Sequence, residues 1–222
     1  AIIVPGGKGK ARRLAKKYGL DLFPIREMPD PEAVTLLKQR KIALFAHYWT
    51  GGGAGSCLDR LGFDYDILTA EDLNAGKIVE YDLFINDGLS WGELSDSGRN
   101  SLSAWFADGG DYIGLSTWGS AIELAIEAEI ADVSYEYLDA DGIVSVDYDP
   151  TDSVAAGFRE DGYAYVYFPG WFSDLGSEVK VSTSIDPGIN FMISGYWPDW
   201  QDSGINGKPV IVHQTTDTRD VT

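Results

Sequence analysis

The chain has few residues that bind metal ions or form disulfides: one cysteine and two histidines among 222 residues. Cys57 alone excludes a disulfide within the chain. Neither His47 nor His213 has an acidic or histidine partner at the spacing of a zinc peptidase site. We therefore expect no metal site and no cofactor in this chain.

Long apolar runs are also missing. No stretch approaches the roughly 18 residues that a transmembrane helix needs, so the sequence predicts no membrane span. There is no signal-peptide pattern, and the chain begins at Ala1 rather than at methionine, so we expect a processed fragment of a longer polypeptide. Its 44% hydrophobic and 13% aromatic residues predict a packed core.

Basic residues are scarce outside the first part of the chain. Residues 1–41 carry ten Lys or Arg against four acids, whereas the other 181 residues carry seven against 31. Such an acidic body repels nucleic acid and anionic lipid, so we expect neither as a partner. We predict that residues 1–40 are a basic segment and a proline-containing linker, with Lys8–Lys17 as the solvated face of a helix. Attraction of nucleic acid to that helix is the alternative.

Apolar strands alternate with helical segments over the first half of residues 41–222. Ile42–Ala46, Phe63–Leu68, Tyr81–Asn86 and Tyr112–Leu115 predict strands, and Ser95 predicts the start of a helix that ends near Ala107. Gly51–Gly55 predicts a loop, since it matches no phosphate-binding motif. The later segments predict short antiparallel strands. The fold class is therefore α/β, a mostly parallel sheet with an antiparallel β-rich extension in the C-terminal half.

The segment Gly109–Ala121 has the strand, sharp turn and helix start of a nucleophile elbow. Ser116 or Thr117 would be the nucleophile, with His47 or His213 as a possible base. The elbow needs small residues two positions before and after the nucleophile. Trp118 breaks this rule for Ser116, and Leu115 breaks it for Thr117. We therefore predict a turn without a catalytic role, and a hydrolase that uses these residues is the alternative.

Aromatic residues follow several of the predicted strands. Parallel strands place their following loops at the carboxyl edge of the sheet, where ligands bind. A carboxylate among aromatic rings suits a peptide or a glycan. A rim that covers the core or docks on another domain is the alternative. The candidate ligand-binding residues are Tyr48, Trp49, Asp87, Trp91 and Trp118, together with Trp171 in a predicted loop of the later half.

With these residues located, the chain resembles a known domain family. It is similar to the class I glutamine-amidotransferase-like domain found C-terminal in secreted zinc carboxypeptidases of the carboxypeptidase A clan. The matching positions, spread over residues 41–222, are Lys41–Phe45, Tyr48–Thr50, Leu61–Phe63, Tyr81–Leu83, Gly119–Ala121, Val144–Asp147 and Gly157-Phe158.

The resemblance implies a flavodoxin-like sheet with helices on both faces and one further apolar strand after Thr222. It implies that the elbow has lost its cysteine at Ser116 and Thr117. It also implies that zinc belongs to a preceding catalytic domain of the same polypeptide.

The resulting hypothesis is a non-catalytic accessory domain of a secreted, extracellular zinc carboxypeptidase. Its partners would be the preceding peptidase domain and a peptide or glycan. Two alternatives stay open: a stand-alone amidotransferase-like or hydrolase-type enzyme using Thr117 or Ser116, and a sugar-binding protein of the trehalose-utilisation type.

Overall fold

The computed structural model describes residues 8–18, 39–46, 53–115, 120–137, 139–155, 157–158, 160–168, 170–199 and 203–222. The chain divides into two compact units, residues 1–39 and 40–222. In the first, helix α1 spans Lys8–Tyr18 and exposes Arg12, Arg13 and Lys16. No helix in these ranges is long and apolar enough to cross a bilayer.

Strands and helices alternate through the first half of the second unit. Two 3-10 helices, Lys77–Glu80 and Trp91–Glu93, lie between the longer elements. The elements are β1 (Ile42–Ala46), α2 (Gly53–Leu61), β2 (Tyr65–Ile67), α3 (Ala70–Asn74), β3 (Leu83–Asp87), α4 (Asp96–Ala107), β4 (Asp111–Leu115) and α5 (Ser120–Glu127).

The predicted loop over Gly51–Gly55 is wrong from Gly53 onward, because α2 begins there. Gly55 lies in the first part of this helix, where a Cβ atom would come within 3.0 Å of the Tyr65 hydroxyl. A side chain at position 55 would therefore require the Tyr65 ring to shift by a few tenths of an ångström. The predicted helix start at Ser95 is confirmed, since its hydroxyl accepts a hydrogen bond from the Gly98 amide at 3.2 Å.

Strands β2, β1, β3 and β4 are parallel and adjacent in that order. Their side chains alternate between two apolar layers. Ala43, Phe84 and Tyr112 face one layer with residues of α3, α4 and α5, whereas Ile42 and Leu44 face the other with Leu58 of α2. The prediction of a parallel sheet with helices on both faces is confirmed.

The second half of this unit is built from antiparallel strands. Five of them, together with a short strand at Asp220–Val221, extend the same sheet to ten strands, whereas two others, β5 and β8, form a separate pair. Val144, Val146, Ile185 and Phe191 belong to a second apolar core. The strands are β5 (Ser134–Tyr137), β6 (Asp141–Tyr148), β7 (Asp161–Tyr167), β8 (Gly170–Ser173), β9 (Val179–Ile185), β10 (Met192–Tyr196) and β11 (Pro209–Thr215).

A short strand joins the two halves of the sheet. Strand β12 (Asp220–Val221) is antiparallel to β11 and parallel to β4. The Thr222 amide donates to the Tyr112 carbonyl at 2.9 Å, and the Gly114 amide donates to the Thr222 carbonyl at 2.7 Å. Residues 220–222 thus lie beside β4, and a further apolar strand after Thr222 stays a prediction.

We expect Gly110→Ala to destabilise the protein. The added Cβ would lie 2.3 Å from the Trp105 indole, which is held in place because its Nε1 donates to the Tyr81 carbonyl at 2.7 Å. Overpacking of a core costs about 1–3 kcal/mol. Chemical denaturation of the variant and of the unchanged chain measures the difference in their free energies of unfolding.

Gly53→Ala is the matched control, because a Cβ at this helical position meets no atom within 4 Å. It should leave the free energy of unfolding unchanged or raise it by up to about 1 kcal/mol. Equal effects of the two substitutions would contradict the packing of Gly110 against Trp105.

Candidate functional site

Asp87 marks the centre of the carboxyl edge of the parallel strands. It ends β3 and lies in register with Ala46, the last residue of β1, and with Leu115, the last residue of β4. Its side chain is buried. Two predicted site segments follow these neighbouring strands in sequence. His47, Tyr48 and Trp49 follow β1, Ser116, Thr117 and Trp118 follow β4, and all six lie outside the described residues.

Beneath this edge, Asn86 and Tyr112 form a buried hydrogen-bond network. The Asn86 side-chain amide donates to the Leu89 carbonyl at 3.0 Å and to the Tyr112 hydroxyl at 2.9 Å, and its oxygen accepts from the Leu89 amide at 2.8 Å. The Tyr112 hydroxyl donates to the Ala121 carbonyl at 2.6 Å. The network links the turn after β3 to α5.

Tyr112 is a positioning residue rather than an acid or base. Desolvation raises the pKa of its phenol well above the ordinary value of 10, so the hydroxyl stays protonated at neutral pH. Sequence analysis missed both Asn86 and Tyr112. The Asn-Asp-Gly at the end of β3 is a signal that could have indicated Asn86, because asparagine side chains often bond to nearby turn backbone.

Trp91, another predicted ligand-binding residue, follows β3 and therefore lies at the carboxyl edge of the sheet. It lies in the 3-10 helix after β3 and is half-buried. The Arg99 guanidinium lies 5.6 Å from the centre of its ring, and Arg99 Nε donates to the Trp91 carbonyl at 3.2 Å. Arg99 thus contacts both the indole ring and the backbone of Trp91. These contacts restrict the position of the indole and so favour its use as a pre-organised surface for a ligand.

A small apolar cavity lies between β4 and α5. Gly114, Ala121, Ile122 and Phe172 contribute to its lining, and its volume is about 40 Å³. That volume accommodates only about three water molecules. This cavity is therefore too small to hold a glycan or a peptide.

His213, the second predicted base, lies in a different environment. Its Nδ1 is 3.5 Å from Asp152, and its Nε2 is 3.7 Å from Asp220 and 2.9 Å from the Thr215 hydroxyl. Its neighbour Gln214 lines the cavity beside α5. Since side chains alternate along a strand, His213 faces the opposite side of the sheet from α5. The described contacts therefore bring His213 together with Asp152 and Asp220, not with Asp87.

Trp171 is not in a loop, and that prediction is wrong. It lies on β8 and is 7% exposed, packed in the second core with Trp197 and Ile205. Periodicity did not identify this strand because four residues are too few to show alternation. Within the described ranges, no three His, Cys, Asp or Glu side chains converge as a metal-binding group.

Comparison with known proteins identifies the fold. No family model and no curated protein matches the chain. A solved candidate GMP synthase component from Thermoplasma acidophilum matches 84% of this chain and 84% of its own, with 14% identity and a TM-score of 0.54. A glutamine amidotransferase from Thermotoga maritima matches with 10% identity and a TM-score of 0.50, over 83% of this chain and 75% of its own.

The fold is that of the class I glutamine amidotransferases. The flavodoxin-like sheet predicted from the sequence resemblance is confirmed, together with its antiparallel extension. Identities this low show the fold alone, so the activity of the chain is a separate question.

We expect Tyr112→Phe to lower stability by about 1–3 kcal/mol, since it removes the buried hydroxyl that donates to the Ala121 carbonyl and accepts from the Asn86 side chain. Tyr81→Phe is the control, because the Tyr81 hydroxyl donates to Asp66 at 3.0 Å in an exposed position. It should cost less than about 1 kcal/mol. Urea denaturation measures the free energy of unfolding of each variant. An equal loss of stability in the two would contradict the positioning role of Tyr112.

Proposed function

We propose that this chain is a non-catalytic accessory domain of a secreted zinc carboxypeptidase, which binds a peptide or a glycan at the carboxyl edge of its sheet. The observation that carries the proposal is the distance between the Cys57 thiol and the imidazole of His213, the histidine in the described ranges. Cys57 is exposed on α2, which packs on β1, whereas His213 lies on β11. These strands are four positions apart in the sheet, about 19 Å.

Cysteine-based amide hydrolysis needs the thiol and its base within hydrogen-bond reach. Serine or threonine at the elbow would need an imidazole there as well, and His213, the imidazole in the described ranges, lies near Asp152 and Thr215 instead. The geometry of the described residues therefore gives no support to hydrolysis that uses Cys57 or His213.

The proposed ligand contacts are Asp87 and Trp91, on either side of the turn that follows β3. A carboxylate can accept hydrogen bonds from hydroxyl or amide groups, and an indole face packs against a sugar ring or an apolar side chain. The negative charge of residues 42–222 favours neutral or cationic ligands.

The carboxypeptidase parent rests on the sequence resemblance. In this proposal the zinc, the peptidase chemistry and the secretion signal belong to other parts of the polypeptide, and the preceding peptidase domain is the partner. Sequencing the parent gene tests this, and we expect an H-x-x-E motif followed by a further histidine before residue 1. A parent without zinc-ligand motifs would overturn the context but leave the binding site to be tested.

We expect no glutamine or ester hydrolysis by this chain above the buffer rate. The double variant Ser116→Ala/Thr117→Ala should therefore behave like the original chain in an ammonia-release assay and in a nitrophenyl ester assay. Turnover that disappears in the double variant would show that the chain is an enzyme.

We expect Trp91→Leu to weaken ligand binding about tenfold, or about 1.4 kcal/mol. The measurement is calorimetric titration with a panel of oligosaccharides and short peptides. Tyr81→Leu is the matched control, since its ring also lies near a cation, with Lys41 Nζ at 4.4 Å, but precedes β3 at the opposite edge of the sheet. Equal losses in both variants, or no binding to the panel, would contradict the proposed site.

A further inference from the structure

Within the described ranges, strand β7 pairs along one side only. In the described part of the chain its strand partner is β6, which pairs with it over Asp161–Tyr167. The Tyr148 amide donates to the Glu160 carbonyl at 2.8 Å, and the Phe168 amide donates to the Ala140 carbonyl at 2.9 Å. In an antiparallel pair, hydrogen-bonded residues alternate with residues whose backbone groups point away. Even-numbered residues of β7 therefore bond β6, and odd-numbered ones direct their N–H and C=O outward.

The same odd-numbered positions carry three exposed tyrosines. Tyr163 and Tyr165 are each 70% exposed and Tyr167 is 43% exposed. We call these three residues the tyrosine ladder. Successive members lie about 6.8 Å apart along the strand, which is the repeat of every second residue in an extended peptide.

Carboxylates accompany the tyrosine ladder on this face. Asp161 belongs to β7, and Asp147 and Asp141 of β6 lie directly across from Asp161 and Tyr167. None of the three forms an ion pair with a basic side chain in the described ranges. The face is thus both aromatic and negatively charged.

We propose that β7 binds an extended basic peptide as an added strand. The outward N–H and C=O groups of the tyrosine ladder would hydrogen-bond to the peptide backbone. Alternate Lys or Arg side chains would lie over the phenol rings as cation–π pairs and reach Asp141, Asp147 and Asp161. This surface belongs to the antiparallel half and is independent of the site at Asp87.

Charge and backbone geometry favour this occupant over others. A second copy of the chain would bring another net charge of −18 to the same edge, which opposes pairing of two β7 strands. A glycan could stack on the rings, but it has no backbone row to match the outward donors and acceptors. A basic strand satisfies the hydrogen bonds and the charge together.

The test uses the intact chain and a fluorescein-labelled heptapeptide of alternating lysine and threonine. Fluorescence anisotropy should show binding that weakens as salt is raised. A heptapeptide with glutamate in place of lysine should bind at least tenfold more weakly. Equal binding of the two peptides would overturn the proposal.

A proline substitution distinguishes the contribution of backbone pairing to peptide affinity from the contribution of the tyrosine rings. Tyr165→Pro removes one outward N–H while the bonds from β7 to β6 stay available, and edge strands accept proline at such positions. Tyr165→Thr, the matched control, removes the ring and keeps the N–H. We expect affinity to fall at least tenfold for the proline variant and two- to fivefold for the threonine variant. Equal losses would show that strand addition is wrong.

A change in the peptide keeps the test valid even if the proline variant does not fold. The lysine peptide is methylated on every second backbone nitrogen, first in one alternation and then in the other. The peptide whose methyl groups replace the N–H groups that face β7 should bind at least tenfold more weakly. The peptide with the other set of methylated nitrogens should keep its affinity. Binding that survives both, binding displaced by a neutral oligosaccharide, or a dimer that Tyr165→Pro dissociates would each overturn the proposal.

Discussion

The pairing of residues 220–222 with β4 connects the parallel and antiparallel halves of the sheet, and the continuity of the ten-stranded sheet depends on that connection. Three residues give little backbone pairing by themselves. Asp111 reinforces them, because its carboxylate accepts a hydrogen bond from the Asp220 amide at 2.8 Å and lies 2.8 Å from the Arg40 guanidinium. Arg219 adds a hydrogen bond to the Phe106 carbonyl at the end of α4. The connection therefore combines strand pairing with bonds from side chains on both sides.

Tyr112 lies on this connection and at the candidate site. Its backbone pairs with Thr222, whereas its side chain bonds to Asn86 and Ala121. Movement of the antiparallel half relative to β4 would therefore disturb the turn after Asp87 and the start of α5. The two halves of the sheet have separate apolar cores. The hydrogen bonds of Tyr112 therefore link the carboxyl edge of the parallel strands to the antiparallel half.

The shortage of basic residues shapes what each surface can bind. With seven Lys or Arg against 31 acids after residue 41, most carboxylates have no cation to pair with. The exposed ones contribute a long-range negative field that repels anions and attracts cations, weakened by salt. Both the carboxyl edge and the tyrosine ladder lie in this field, so the same charge balance that argues against nucleic acid favours neutral and basic ligands.

Much of the architecture could be predicted because local signals agree with the final fold. The apolar run Ile42–Ala46, the cap at Ser95 and the glycines after α4 each act within a few residues, so the sequence alone determined these elements and the α/β class. Strands β5, β8 and β12 could not be predicted, because two to four residues carry no readable period and their stability comes from partners far along the chain.

The candidate site divides in the same way. Asp87 and Trp91 follow a predictable strand, so the sequence placed them at an edge where ligands bind. Only the tertiary structure decided that Trp171 is core, that His213 contacts Asp152, and that Tyr112 bonds to Asn86, since these contacts join residues 26 to 61 positions apart or depend on the side of the sheet that a side chain faces. Sequence determines which residues are apolar, charged or turn-forming, whereas strand order and register determine which of them meet.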